Sequence, residues 1–288
     1  MGRLLLILEK NSDIFVLAIE SIIMHNELGA LIVQKQTWKD YFLFRIRGKH
    51  IAQESQPGQF IMLRPTKSLH PLLRRPFSIH SVLNDCLEIF FLKSGIGTTL
   101  LSQMYEGNSV DILGPLGKGF FLDRELQGKR VALVGGGRGI APLYFLAQKL
   151  LDLGALPHIF YGGKTLSDLP LKQKFAQKNH KISISTDDGS IGFKGLITDL
   201  FQLELDNIMP SYIYACGPEA MMEKIARIAE KMAIPAEFSL ESIMGCGFGA
   251  CWGCVRRIKS DTREEWVKIC EEGPVFSGHQ IIWHDEES

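Results

Sequence analysis

The stretch Arg130-Val131-Ala132-Leu133-Val134-Gly135-Gly136-Gly137-Arg138-Gly139-Ile140-Ala141-Pro142-Leu143 reads as a short buried strand, a glycine turn and the start of a helix. Glycines at 135, 136, 137 and 139 let a backbone approach a bound pyrophosphate, and the helix offers it a positive N-terminus. Pro142 fits, because the first helical turn has no N–H partner to lose. Alone, such a turn is a weak signal; its surroundings strengthen it. His158–Tyr161 and Ile182–Ser185 read as strands, residues 168–178 and Leu196–Leu203 as helices, and Tyr212–Ala215 as another strand. A helix over Pro218–Met232 follows, with Met221, Ile225, Ile228 and Met232 on one face. Strands alternating with helices predict a parallel α/β sheet. A second strand–turn–helix, through Cys216, Gly217 and Pro218, lies at another strand's carboxyl end, where such sheets take ligands.

Upstream the pattern differs. Leu31–Val33, Tyr41–Ile46, Phe60–Leu63, Ser78–Val82, Leu87–Leu92 and Ser109–Leu113 read as short strands, with a pair around Asn84-Asp85 and a helix from Thr98 to Met104. Evenly spaced short strands predict a small antiparallel barrel. The fold class is therefore multidomain α+β: a barrel over 30–125, a parallel α/β domain over 126–240 and a small Cys-rich module over 241–288. Residues 1–29 stand apart as an extension. Their apolar run breaks at Glu9 with no small-residue cleavage site, so they do not read as a signal peptide, and Met24 is an alternative start.

The 288 residues are 45% hydrophobic and 22% charged, enough to bury a full core. Lys plus Arg and Asp plus Glu both number 32, so bulk attraction to nucleic acid or an anionic membrane is not the main business. No apolar run is long enough to span a bilayer, and the expected compartment is the cytoplasm.

Two motifs on the barrel point to a flavin. Arg75-Pro76-Phe77-Ser78 offers a guanidinium and a hydroxyl from one stiff strand, suited to a pyrophosphate and a flavin edge. Gly97-Thr98 opens a helix, a second anion site. Either alone is compatible with an ordinary surface; together on one small barrel they are specific.

Four of the six cysteines crowd the C-terminal end. Cys246, Cys251 and Cys254 have C-x4-C-x2-C spacing and Cys270 follows, which matches the plant-type 2Fe-2S ligand pattern. Gly245, Gly247, Gly249 and Gly253 let the loop curl its N–H groups toward sulfur. A structural zinc site is the rival, but zinc favours paired C-x2-C spacings and leaves Cys246 unexplained. Cys86 reads as a packing residue, and His279 and His284 as surface residues. Trp252 either shields the cluster or packs on a partner. Asp187 and Asp188 read as turn caps or ribose-hydroxyl ligands.

Taken in order, these motifs resemble the ferredoxin–NADP reductase superfamily from about residue 30 to the C-terminus. Within it the chain is similar to the electron-transfer subunits of B-type dihydroorotate dehydrogenases, through Thr186-Asp187-Asp188-Gly189-Ser190, Gly192-x-Lys194-Gly195, the cysteine loop and Cys270-Glu271-Glu272-Gly273-Pro274-Val275-Phe276. The resemblance implies FAD on the barrel, NAD on the α/β domain and a 2Fe-2S cluster on the four cysteines. Arg75, Pro76, Phe77, Ser78, Gly97 and Thr98 would contact FAD, with Phe91, Leu92 and Lys93 on its adenine side. Gly135, Gly136, Gly137, Gly139, Cys216, Gly217 and Pro218 would serve the nucleotide. It also implies a partner, an FMN-containing catalytic subunit that oxidises dihydroorotate to orotate in pyrimidine synthesis, in a heterotetramer of two plus two. Two residues depart from the pattern: Phe77 stands in place of a smaller aliphatic, and Arg138 in place of an apolar residue. A cation at 138 favours either the extra phosphate of NADP or the pyrophosphate, and both nucleotides stay open. The related subunits of sulfide dehydrogenases and of NADH-dependent ferredoxin:NADP oxidoreductases remain alternatives. From another class, so does a redox-sensing binding protein without NADH:dye activity.

Overall fold

The computed structural model describes residues 24–66, 68–177, 180–260 and 263–283. The expectations about residues 1–23 and His284 lie outside them. Six strands close into an antiparallel barrel in the order β1-β2-β5-β4-β3-β6. These are β1 (His25–Trp38), β2 (Tyr41–Arg47), β3 (Phe60–Arg64), β4 (Arg75–Leu83), β5 (Cys86–Leu92) and β6 (Ser109–Leu116), with helices α1 (Lys49–Glu54) and α2 (Ile96–Gln103) between them. Strand β1 starts ahead of residue 30, pairing His25 with Gly114.

The run Tyr41-Phe42-Leu43-Phe44 is apolar on both faces because both faces are covered. Phe42 and Phe44 point into the barrel with Ile89 and Phe91, while Tyr41, Leu43 and Phe90 point outward onto the next domain. A strand buried on both sides loses the alternation of a one-sided strand.

That next domain is a seven-stranded sheet, β10-β9-β8-β7-β11-β12-β15. Its elements are β7 (Arg130–Gly136), α3 (Ala141–Asp152), β8 (Leu156–Gly163), α4 (Lys172–Ala176), β9 (Lys181–Thr186), β10 (Phe193–Lys194), α5 (Ile197–Ile208), β11 (Tyr212–Cys216), α6 (Glu219–Lys231) and β12 (Ala236–Ser239). Strand order reverses between β7 and β11, which opens a crevice at their carboxyl ends.

Several expectations are corrected. Over 168–178 only the five-residue α4 is α-helical, because Pro170 separates it from a 3-10 turn at Leu166–Asp168. The core stripe of α6 is Met222, Ile225 and Ala229, with Met221 and Ile228 at its margins and Met232 exposed. The Cys-rich module does not leave the sheet. After the hairpin β13 (Val255–Lys259) and β14 (Glu264–Lys268), β15 (Val275–Ser277) pairs antiparallel with β12. Gly273-Pro274 packs on the linker out of the barrel: Lys118 donates its N–H to Gly273 (2.6 Å), and a Cβ on Gly117 would sit 2.6 Å from Pro274.

The barrel and the sheet meet through a buried polar knot. Glu88 of β5 takes Arg45 at 2.7 Å and Lys174 of α4 at 2.5 Å. Burial opposes its charge, but Lys174 and Arg45 outweigh it and hold the carboxyl below its usual range. His80, fully buried, donates from Nδ1 to the Ala141 carbonyl at 2.8 Å, while Nε2 has no hydrogen-bond partner among the described residues. Burial, reinforced by Lys174, pushes its pKa down to about 3. On the far side of the sheet, burial and Lys181 push His158 down to about 4.

Both histidines stay neutral in the fold while the unfolded chain protonates near 6.5. Below that pH the unfolded state binds more protons, so stability falls, by at most about 1.4 kcal/mol per pH unit for each histidine. Glu88 adds to the loss only at lower pH. The melting temperature is expected to drop between pH 7 and 5, and His80→Gln, which keeps a donor to Ala141, to flatten that slope. Parallel slopes in differential scanning fluorimetry would contradict it.

Candidate functional site

Two turns meet in the crevice, and their glycines interlock. A Cβ on Gly135 would lie 2.5 Å from Ile140, and one on Gly136 would lie 2.7 Å from Pro218. On Gly139 it would overlap the Cys216 carbonyl, and on Gly217 it would lie 3.0 Å from the Gly136 nitrogen. Only Gly137, at φ +54°, has open space around it. Gly139 thus serves backbone-to-backbone packing between the turns, Gly136 makes room for Pro218 and Met221, Gly135 makes room for Ile140 of its own turn, and Gly137 presents the free surface.

This floor opens into a cavity of about 710 Å³. Gly136, Gly137, Gly139, Gly217 and Pro218 border it, as do Lys164, Asp187 and Thr198 at other strand and helix ends. Gly135 is buried beneath it. Asp188 turns away to accept the Ser190 N–H at 2.9 Å, so it caps the turn while Asp187 borders the cavity. The barrel supplies a wall through Leu92 and Tyr41, whose hydroxyl donates to Asp168 at 3.1 Å. Tyr41 carries no local signal, since it reads as one more strand residue. Asp168 does carry one: Thr165-x-x-Asp168 is a capping box.

A second cavity, about 260 Å³, lies against the barrel. Arg75, Pro76, Phe77, Ser78, Phe91, Leu92, Thr98 and Cys216 border it. The two flavin motifs touch: a Cβ on Gly97 would sit 3.0 Å from the Arg75 side chain, so glycine lets Arg75 lie across the start of α2. Thr98 Oγ1 accepts from the Ser94 and Gly95 N–H groups at 2.9 and 3.0 Å, which orders that helix start. Phe77 borders the cavity, but its ring is buried on Phe91, 5.5 Å between centroids. Pro76 and Ser78 take the opposite face, as strand alternation requires. Lys93 is exposed and borders neither cavity. The Cys216 thiol is pushed well up by burial.

The four clustered cysteines come together in two pairs. The Cys254 and Cys270 sulfurs are 3.2 Å apart and buried. The Cys251 N–H donates to the Cys246 sulfur at 3.4 Å, and the Gly249 N–H to the Cys270 sulfur at 3.1 Å. Burial disfavours the Cys246 thiolate, but the N–H groups of Phe248, Cys251 and Ala250 outweigh it and bring the pKa down to about 7. Among the described residues, no three metal-ligating side chains converge on one point as a mononuclear ion requires. Two thiol pairs with amides aimed at sulfur fit two irons. The loop packs inward, since a Cβ on Gly247 (φ +87°) would overlap Met62 of the barrel. Outward it presents Phe248 and Trp252, the latter with the Lys268 ammonium 4.9 Å from its ring. Cys86 opens β5 opposite Arg47, and His279 pairs with Ser277 at the surface.

Residues 133–227 match the oxidoreductase NAD-binding domain, and residues 241–282 match the iron-sulfur cluster binding domain of dihydroorotate dehydrogenase B. The dihydroorotate dehydrogenase B (NAD(+)) electron transfer subunit of Desulforamulus reducens is 39% identical over 235 residues, which is 81% of this chain and 89% of that protein. The chain belongs to this family of electron transfer subunits. The family's member from Shouchella clausii is 37% identical over 265 residues, covering 90% of this chain and 100% of its own. Among solved structures, an NADH-dependent reduced ferredoxin-NADP oxidoreductase superposes with a TM-score of 0.77 at 28% identity, covering 89% of this chain and 90% of that one. Against this family, the zinc reading of the cysteine module falls away. Among the described residues no helix is long and apolar enough to cross a membrane.

Proposed function

We propose that the chain carries electrons from an FMN-bearing catalytic subunit, where dihydroorotate is oxidised to orotate, through a 2Fe-2S cluster and FAD to NAD. The observation that carries this reading is contiguity. Leu92, Arg138 and Glu241 border both cavities, and Met244 and Pro274 of the cysteine module border the smaller one. The shared borders support a continuous series of nucleotide, flavin and cluster sites.

Cys246, Cys251, Cys254 and Cys270 would hold the cluster. Arg75, Pro76, Ser78, Thr98 and the start of α2 would hold FAD; Gly137, Asp187 and the Cys216-Gly217-Pro218 turn would hold NAD. When bound, these groups supply the redox chemistry: the cluster moves single electrons, NAD takes a hydride, and a flavin does both. The chain's own work is to fix their order and keep water away. Cys254 and Cys270 sit on the buried side and Cys251 on the exposed side, so a partner has access at the outer edge and FAD lies inward. A complex of two plus two subunits follows from the family resemblance.

The test is dihydroorotate-dependent NAD reduction by this chain, loaded with flavin and cluster, mixed with the FMN-bearing subunit of the same organism. Reduction that vanishes when this chain is omitted is the expected result. The likeness to the ferredoxin-NADP oxidoreductase favours a second reading, with ferredoxin as the one-electron partner. NADH:dye activity without dihydroorotate coupling would select it.

A further inference from the structure

We infer that Arg138 binds the pyrophosphate of the incoming dinucleotide by exchanging partners: at rest it is held by Glu241, and the phosphates displace that carboxylate. This rests on the NAD site of the reading above, and not on the identity of the electron donor. Arg138 Nη2 lies 3.4 Å from Glu241 Oε2, longer than a good charge-assisted hydrogen bond, and the two side chains are 51% and 61% exposed. Such a pair contributes little by itself.

Its position is what matters. Both residues border the nucleotide cavity and the flavin cavity, so the pair stands where a dinucleotide passes from one to the other. Arg138 follows Gly137, the one glycine of its turn not taken up by packing. A guanidinium can grip two phosphate oxygens at once, and a pyrophosphate outbids one solvated carboxylate. Glu241 is therefore a built-in competitor that lowers affinity for the nucleotide. It lies two residues beyond the end of β12, on the segment leading to Cys246. A 2′-phosphate role for Arg138 does not suit its place. Lys164 and Asp187 border the nucleotide cavity alone, whereas Arg138 stands at the flavin end.

The test is calorimetric titration of the flavin- and cluster-loaded protein with ADP-ribose, NADH and NADPH, alongside KM and kcat for NADH:dye turnover. Arg138→Gln is expected to raise the ADP-ribose Kd and the NADH KM about tenfold, the scale of a charge-assisted contact. Glu241→Gln is expected to lower both about two- to fivefold, the scale of an exposed pair. Arg138→Gln with Glu241→Gln should match Arg138→Gln alone. A gain in affinity from losing a salt bridge is not produced by structural damage. The inference is overturned if Glu241→Gln leaves the ADP-ribose Kd unchanged or raises it. It is equally overturned if Arg138→Gln weakens NADPH alone. Wild-type protein that binds none of the three ligands would overturn both this inference and the NAD site.

Discussion

Cys270→Ser is expected to abolish the visible absorbance of the cluster and to cut dihydroorotate-dependent NAD reduction to less than about a hundredth, with flavin still bound. Cys270 is 2% exposed, 3.2 Å from the Cys254 sulfur, and receives the Gly249 N–H. A serine hydroxyl is a harder and far less acidic ligand than a thiol, so it holds cluster iron poorly. As one of the buried pair with Cys254, Cys270 would close the inner side of the cluster, and its loss would open that side. Cys86→Ser is the control: Cys86 starts a barrel strand and should leave the spectrum as it was. An unchanged cluster spectrum in Cys270→Ser would remove that residue from the ligand set.

Gly139→Ala should have the second largest effect, a loss of about 3 kcal/mol and a melting temperature lower by about 6–12 °C. The added methyl would overlap the Cys216 carbonyl and lie 2.6 Å from Gly217 Cα. Backbone meets backbone there, so no rotamer change relieves the clash. The Cys216 turn must retreat from the glycine turn, which widens the crevice floor and weakens NADH binding. Gly137→Ala, where a Cβ meets open space but φ is +54°, should cost less, about 1 kcal/mol. Thermal melts of the two variants side by side test the ranking. A Gly139→Ala protein as stable as Gly137→Ala would show that the turns do not interlock.

Much was legible in the amino-acid order because it depends on local chemistry. Glycine turns after buried strands, a Gly-Thr helix start and C-x4-C-x2-C spacing are short-range patterns, and each marks its own element. The alternation of strand and helix after residue 130 determined a parallel sheet by the same logic. Other features depended on packing between distant segments. Tyr41 is an ordinary strand residue until the second domain covers the outer face of β2 and makes it a wall of the nucleotide cavity. Arg138 reads as an oddity in a glycine turn until Glu241, 103 residues away, is placed beside it. The glycines themselves read as phosphate contacts; the fold commits Gly136 and Gly139 to holding two turns together. The C-terminal strand β15 was hidden because three residues, Val275-Phe276-Ser277, are too few to show a period. What the sequence determined by itself was therefore which groups this protein is built to hold. Only the tertiary structure decided which cavities adjoin and which side chains stand between them, because adjacency across domains comes from surfaces meeting and leaves no periodicity in the chain.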